Sequence, residues 1–166
     1  MKNRTINRQT KIIIAVIAVL AVLIGILGYG SRKASSPKDG LIISVAGKET
    51  VVAWEDIQKE TFEGDLVNGK GETSHHVYEG ALLLKILEQA GAGVGEGSKL
   101  TVTSEDNYSA ELSGQEVLEA GKVYVALTGD GEILKGIEGD QGAQLIVFGD
   151  SNSKRAVRYL KKITIE

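Results

Sequence analysis

The sequence predicts an α+β domain with a mixed, mostly antiparallel sheet and a few short helices, preceded by one N-terminal transmembrane helix. Three observations carry this. Short apolar runs closed by Gly, Asn or Asp recur along residues 41–166 and group into hairpins. Helical patterning is confined to two short segments, after Tyr78 and after Ser113. An unbroken apolar run begins at Ile12 and reaches Tyr29, directly behind Lys2, Arg4, Arg8 and Lys11.

Residues 1–11 are a basic N-terminus and 12–30 the expected signal-anchor helix. The apolar run matches a hydrocarbon core of roughly 30 Å at about 1.5 Å per helical residue. The cations ahead of it predict a cytoplasmic N-terminus, so the protein is expected in the cell membrane, single-pass, with its C-terminal domain extracytoplasmic. A cleaved signal peptide is the alternative. Its apolar region would span about 7–15 residues before an Ala-x-Ala-like site, whereas Gly28-Tyr29-Gly30-Ser31 is a weak site after a longer run. Residues 31–40 contain the only proline and read as a solvated linker.

Residues 41–166 form the extracytoplasmic domain, long enough for a core of its own. Of 19 Lys and Arg, seven precede Leu41, and of 22 Asp and Glu only Asp39 does. The domain therefore has 12 basic and 21 acidic side chains, a net charge of −9. That excludes nucleic acid and anionic lipid as general partners. The chain has no cysteine, so no disulfide supports the fold outside the cytoplasm.

Leu41–Val45 is the first expected strand, with Val51-Val52 in a second and a helical turn at Trp54–Lys59. Phe62–Val67 and Thr73–Tyr78 flank Asn68-Gly69-Lys70-Gly71. An Asn-Gly pair there predicts a type I′ hairpin turn. Ala81–Ala90 is the strongest helix, with Leu83, Leu87 and Ala90 on one stripe and Gly91 positioned to end it. Lys99–Thr103 and Tyr108–Leu112 make a second hairpin. Ser113 and Glu116 have capping-box spacing for a helix to Ala120. A strand at Val123–Leu127, a turn at Gly129-Asp130-Gly131, a Gly-rich loop at Gly136–Gly142 and two terminal strands complete the domain.

Several segments resemble, in order, the molybdopterin-binding domain of sulfite oxidase-like oxidoreductases. Tyr78-Glu79-Gly80-Ala81-Leu82-Leu83 through Ala90-Gly91 is similar to its W-x-G-V-x-L-x-x-L-L-x-x-A-G. Ser104-Glu105-Asp106-Asn107-Tyr108 is similar to S-x-D-G-Y, and Asp130-Gly131-Glu132 with Leu134 to N-G-E-P-L. The end, Gln144–Gly149 followed by Val157–Ile165, is similar to RLVVPG … VKWLKRIEV. The resemblance implies that family's fold and, where its chemistry is kept, a molybdopterin cofactor. The family's metal-ligating cysteine falls at or near Asn68, a neutral amide in place of a soft thiolate. Its phosphate-gripping His and Arg fall at Glu138 and Gln144, while Arg158 keeps a positive charge. No cofactor is therefore expected, and molybdopterin only if the family function is retained.

Lys154, Arg155 and Arg158, with Ser151 in the Gly149–Ser153 turn, are the expected anion site for a small anion or a pterin phosphate. A solvated basic face is the plainer reading. His75 and His76 are neighbours on a strand and point to opposite faces, so no metal site is assigned. Gly91–Gly97 follows a helix and fits no phosphate-loop pattern. Two functions are compatible with these residues. One is a non-catalytic binding or interaction module, with a protein partner at the membrane among its candidate ligands. The other is a molybdopterin-dependent oxidoreductase with an atypical site.

Overall fold

The computed structural model describes residues 39–166; the expected basic N-terminus, the membrane helix and nearly all of the linker lie outside these residues. Among the described residues no helix is long and apolar enough to cross a membrane. Among the described residues ten strands and two short α-helices follow one another. β1 is Gly40–Val45, β2 Lys48–Ala53, β3 Glu60–Val67 and β4 Thr73–Leu82. Helix α1 is Leu83–Gln89, followed by β5 at Lys99–Ser104 and β6 at Ser109–Ser113. Helix α2 is Gly114–Leu118, then come β7 at Val123–Gly129, β8 at Glu132–Ile133, β9 at Gln144–Val147 and β10 at Leu160–Ile165.

The strands form two sheets. The first has the order β2-β1-β10-β5-β6, with β1 and β10 parallel and every other pair antiparallel. The second has the order β3-β4-β7, and the far edge of β7 is shared between β9 and β8. Mixed sheets with few helices are the α+β class read from the sequence. Alternation along the strands puts Leu41, Ile43, Leu100, Val102 and Leu112 of the first sheet in one buried cluster with Val123, Val125, Leu127 and Leu145 of the second. Leu83, Ile86 and Leu87 of α1 join it. A bulge between Leu160 and Lys162 inserts one residue opposite Thr103 and Ser104. It lets Leu160 and Ile163, three apart, both face the core.

Local chemistry sets the turns. Ser113 accepts the Glu116 N–H at its hydroxyl, and the Glu116 carboxylate accepts the Ser113 N–H, which is the expected capping box. Gly91 has φ +71°, its N–H reaches the Glu88 carbonyl, and the Ala92 N–H reaches the Leu87 carbonyl. This is a Schellman end, open to glycine because the residue is left-handed. Helix α1 starts two residues later than expected. Ala81 and Leu82 still pair with β7, and Gly80 lets the strands approach, since a Cβ there would collide with the Val125 carbonyl oxygen.

The first hairpin turn differs from the type I′ turn expected at Asn68-Gly69. The Gly71 N–H bonds the Asn68 carbonyl, Gly71 is left-handed at φ +83°, and Gly69 is not. This three-residue loop with a left-handed third position needs its glycine at 71. Two-residue turns with both residues left-handed occur at Ala46-Gly47 and at Asp130-Gly131. The second of these places Asp130 beside β4.

Candidate functional site

Residues 148–159 carry the chain from β9 in the second sheet to β10 in the first. This strap is pinned along its length. The Phe148 N–H bonds the Lys122 carbonyl, the Leu145 N–H bonds the Val157 carbonyl, and the Leu160 N–H bonds the Ala143 carbonyl. Val157 is fully buried. Gly149 is left-handed, and Asn152 caps a 3-10 turn at Ser153–Arg155 by accepting the Lys154 N–H at 3.1 Å. The Tyr108 hydroxyl donates to the Lys154 carbonyl at 2.6 Å.

The structure divides the expected anion site. Arg155 is committed to protein carboxylates. Its Nε donates to Asp150 at 2.9 Å, its Nη2 donates to the other Asp150 oxygen, and its Nη1 donates to Glu116 at 2.8 Å. The Asp150 bonds hold Arg155 firmly in its charged form. Burial alone would raise the Glu116 carboxyl, but the Ser113 N–H, the Arg155 guanidinium and the Ser113 hydroxyl outweigh it, and the net shift is downward. Lys154 and Arg158 are exposed and make no ion pair with the described residues. Ser151 is exposed, and its hydroxyl accepts from the Asn152 amide at 3.4 Å.

Asn68 sits at the tip of the β3–β4 hairpin, and no bond joins it to the strap. Its side-chain oxygen accepts the Lys70 N–H at 2.8 Å and the Glu72 N–H at 3.0 Å. Its amide nitrogen donates to the Glu72 carboxylate at 2.7 Å. Every polar atom of this side chain therefore belongs to its own turn. The donor set does not fit a molybdenum centre: the position offers a neutral amide already bonded on both sides, and the chain has no thiolate. Gln144, expected from the resemblance in the place of a phosphate-gripping arginine, is a neutral residue of β9. Among the described residues no group of three or more His, Cys, Asp or Glu is placed to hold a metal ion.

The outer face of the second sheet holds what the sequence reading missed. Phe62, Tyr78, Tyr124 and Phe148 form an aromatic cluster there, with Phe62 stacked on Tyr124 at 4.1 Å between ring centroids. Gly64 leaves room for Phe148, whose ring a Cβ would strike. His76 shares this face. Its Nδ1 lies 2.7 Å from an Asp130 carboxylate oxygen and its Nε2 lies 2.8 Å from the Ser74 hydroxyl. The bond from His76, seconded by the Val77 N–H, lowers the Asp130 carboxyl. Burial raises the Tyr78 phenol; the Asp130 charge adds to this and the Arg158 charge opposes it. His75 points the other way, 2.8 Å from Asp65, whose bond raises its imidazole. Only the strand alternation of the two histidines was visible in the sequence. The partner of His76 is 54 residues away.

No protein-family model and no curated protein matches the chain. Among solved structures, the crystal structure of the sulfane dehydrogenase SoxCD from Paracoccus pantotrophus matches with a TM-score of 0.61 and 20% identity. The match covers 78% of this chain and 39% of that one, so the chain spans well under half the length of the dehydrogenase chain. At this identity the likeness shows the fold alone, and the mixed sheets with few helices agree with the α+β class expected from the sequence.

Arg155→Ala would strand two partly buried carboxylates and is expected to cost about 2 kcal/mol at neutral pH. The lowered Glu116 carboxyl stabilises the fold above the ordinary glutamate value of 4.5, and that contribution is lost as pH falls through the folded value. Urea unfolding at neutral pH and at pH about 3 should therefore show a smaller acid loss in the variant than in the wild type. Equal stability of both proteins at neutral pH would mean that the clamp contributes nothing.

Proposed function

We propose that the chain is a membrane-anchored extracytoplasmic binding module, built on the fold it shares with SoxCD and working without a molybdopterin cofactor. One observation carries this reading. The side chain at the expected metal position is locked inside its own turn, while the strap's two cations Lys154 and Arg158 have no carboxylate partner among the described residues. The module's ligand is a small anion, a pterin phosphate among the candidates, held by Lys154 and Arg158 beside the Ser151 hydroxyl. Arg155 positions the strap and does not contact the ligand. A protein partner at the membrane presenting an acidic group would use the same cations.

The anchor rests on the basic residues 2–11 ahead of the apolar run. Protease added to intact cells is expected to remove the domain; protection until lysis would reverse the topology. Isothermal calorimetry with phosphate, sulfate and a pterin phosphate should show saturable binding. Arg158→Ala should weaken it about tenfold or more, the loss of one charge-assisted contact. No saturable binding, or equal binding by both proteins, would leave the cluster as a solvated face.

A further inference from the structure

We propose that Ser74, His76 and Asp130 form a nucleophilic site on the open edge of β4 that cleaves carboxylic esters with small apolar acyl groups. This goes beyond the anion-binding reading and uses neither Lys154 nor Arg158.

The geometry starts from strand alternation. Ser74 and His76 are two apart on β4 and face the same side. The Ser74 hydroxyl lies 2.8 Å from Nε2 of His76, and Nδ1 of His76 lies 2.7 Å from Asp130. An ionised carboxylate can only accept, so Nδ1 carries the ring proton and Nε2 presents a lone pair to the hydroxyl. Asp130 is fixed at three further points. Its left-handed turn with Gly131 sets the backbone, its N–H bonds the Val77 carbonyl at 2.7 Å, and its second carboxylate oxygen accepts the Val77 N–H at 3.0 Å. Asp130 is thus a positioning residue that orients the imidazole, while Ser74 and His76 would meet the substrate.

The same edge supplies a donor for the oxyanion. Val77 turns both its N–H and its carbonyl to Asp130, so it does not bond β3. His75 has the same parity and directs its N–H to the same edge, beyond the point where pairing with β7 begins at Tyr78. That N–H follows the nucleophile in sequence, the place from which acyl-transfer sites commonly draw one oxyanion donor. The floor is apolar. Leu66 is the cross-strand partner of Ser74, and Gly64, the partner of His76, is overlaid by Phe148.

In the first step the Ser74 oxygen bonds to the ester carbonyl carbon and its proton passes to His76 Nε2. The bond from that carbon to the alkoxy oxygen then breaks, and the leaving alkoxide takes the proton from His76 and departs as the alcohol. Water repeats the sequence against the acyl-Ser74 ester, giving a carboxylic acid and the free hydroxyl. Neither step needs an oxidant or a cofactor.

The test treats the full-length chain with p-nitrophenyl acetate and, separately, with a fluorophosphonate. Nitrophenolate release is followed, and the adduct is located by peptide mass spectrometry. The expected result is one adduct, on Ser74, with release abolished in Ser74→Ala. His76→Gln should slow release roughly a hundredfold, the scale of a lost general base, with its unfolding midpoint near that of the wild type. Asp130→Asn should lower kcat and leave KM nearly unchanged, which loosened packing alone would not do. An adduct elsewhere, or equal rates in folded wild type, Ser74→Ala and His76→Gln, would overturn the proposal. Failure of anion binding at Arg158 would leave these rates as they are.

Discussion

Strand β10 lies between two ribbons that do not pair with each other. On one side it runs parallel to β1, which carries β2; on the other it runs antiparallel to β5, which carries β6. Without it the first sheet is two separate hairpins, and two-stranded ribbons are marginal in water. Its inward residues, Leu160, Ile163 and Ile165, also carry that sheet onto the second one. The chain therefore closes its core with its last six strand residues, without help from disulfides. The strap ahead of β10 inherits that constraint. It must cross from one sheet to the other, and the backbone bonds at Phe148, Val157 and Leu160 fix the crossing.

A fixed crossing explains why charges on the strap are ordered rather than scattered. Arg155 closes the strap on Glu116, the same carboxylate that caps helix α2, so one acidic side chain serves a helix start and a loop anchor. Lys154 and Arg158 flank this clamp and stay in solvent. The fold tolerates such exchange of chemistry. A core requires apolar volume and the right alternation, and many sequences meet that demand. A metal site requires one particular ligand atom at one place, and Asn68, the position expected to hold it, offers a turn-forming amide. The architecture shared with SoxCD at 20% identity therefore speaks for the fold and not for the chemistry of a site.

Much of the architecture was legible. The capping box at Ser113 and Glu116, the helix end at Gly91 and the two hairpins depend on residues close in sequence, and each formed where local chemistry put it. Boundaries moved where a distant strand intervened, as when β7 held Ala81 and Leu82 in β4. The first hairpin turn differs from the expected type I′ because Asn-Gly also starts a longer loop, in which the left-handed position falls on Gly71. The site was legible as a list of cations but not as a circuit. Arg155 takes its partner from 39 residues away, and His76 takes Asp130 from 54. Such pairings come from sheet register, which no local pattern in the sequence encodes.

The central claim is that the chain works without the molybdopterin cofactor that its sequence resemblance would imply. The most direct measurement is molybdenum content by mass spectrometry, together with pterin fluorescence after heat release, on the full-length chain purified from a host that makes molybdopterin. The account predicts far less than one molybdenum per chain and no released pterin, because Asn68 offers no thiolate and its amide is already bonded within its turn. One molybdenum and one pterin per chain would contradict it and restore the oxidoreductase.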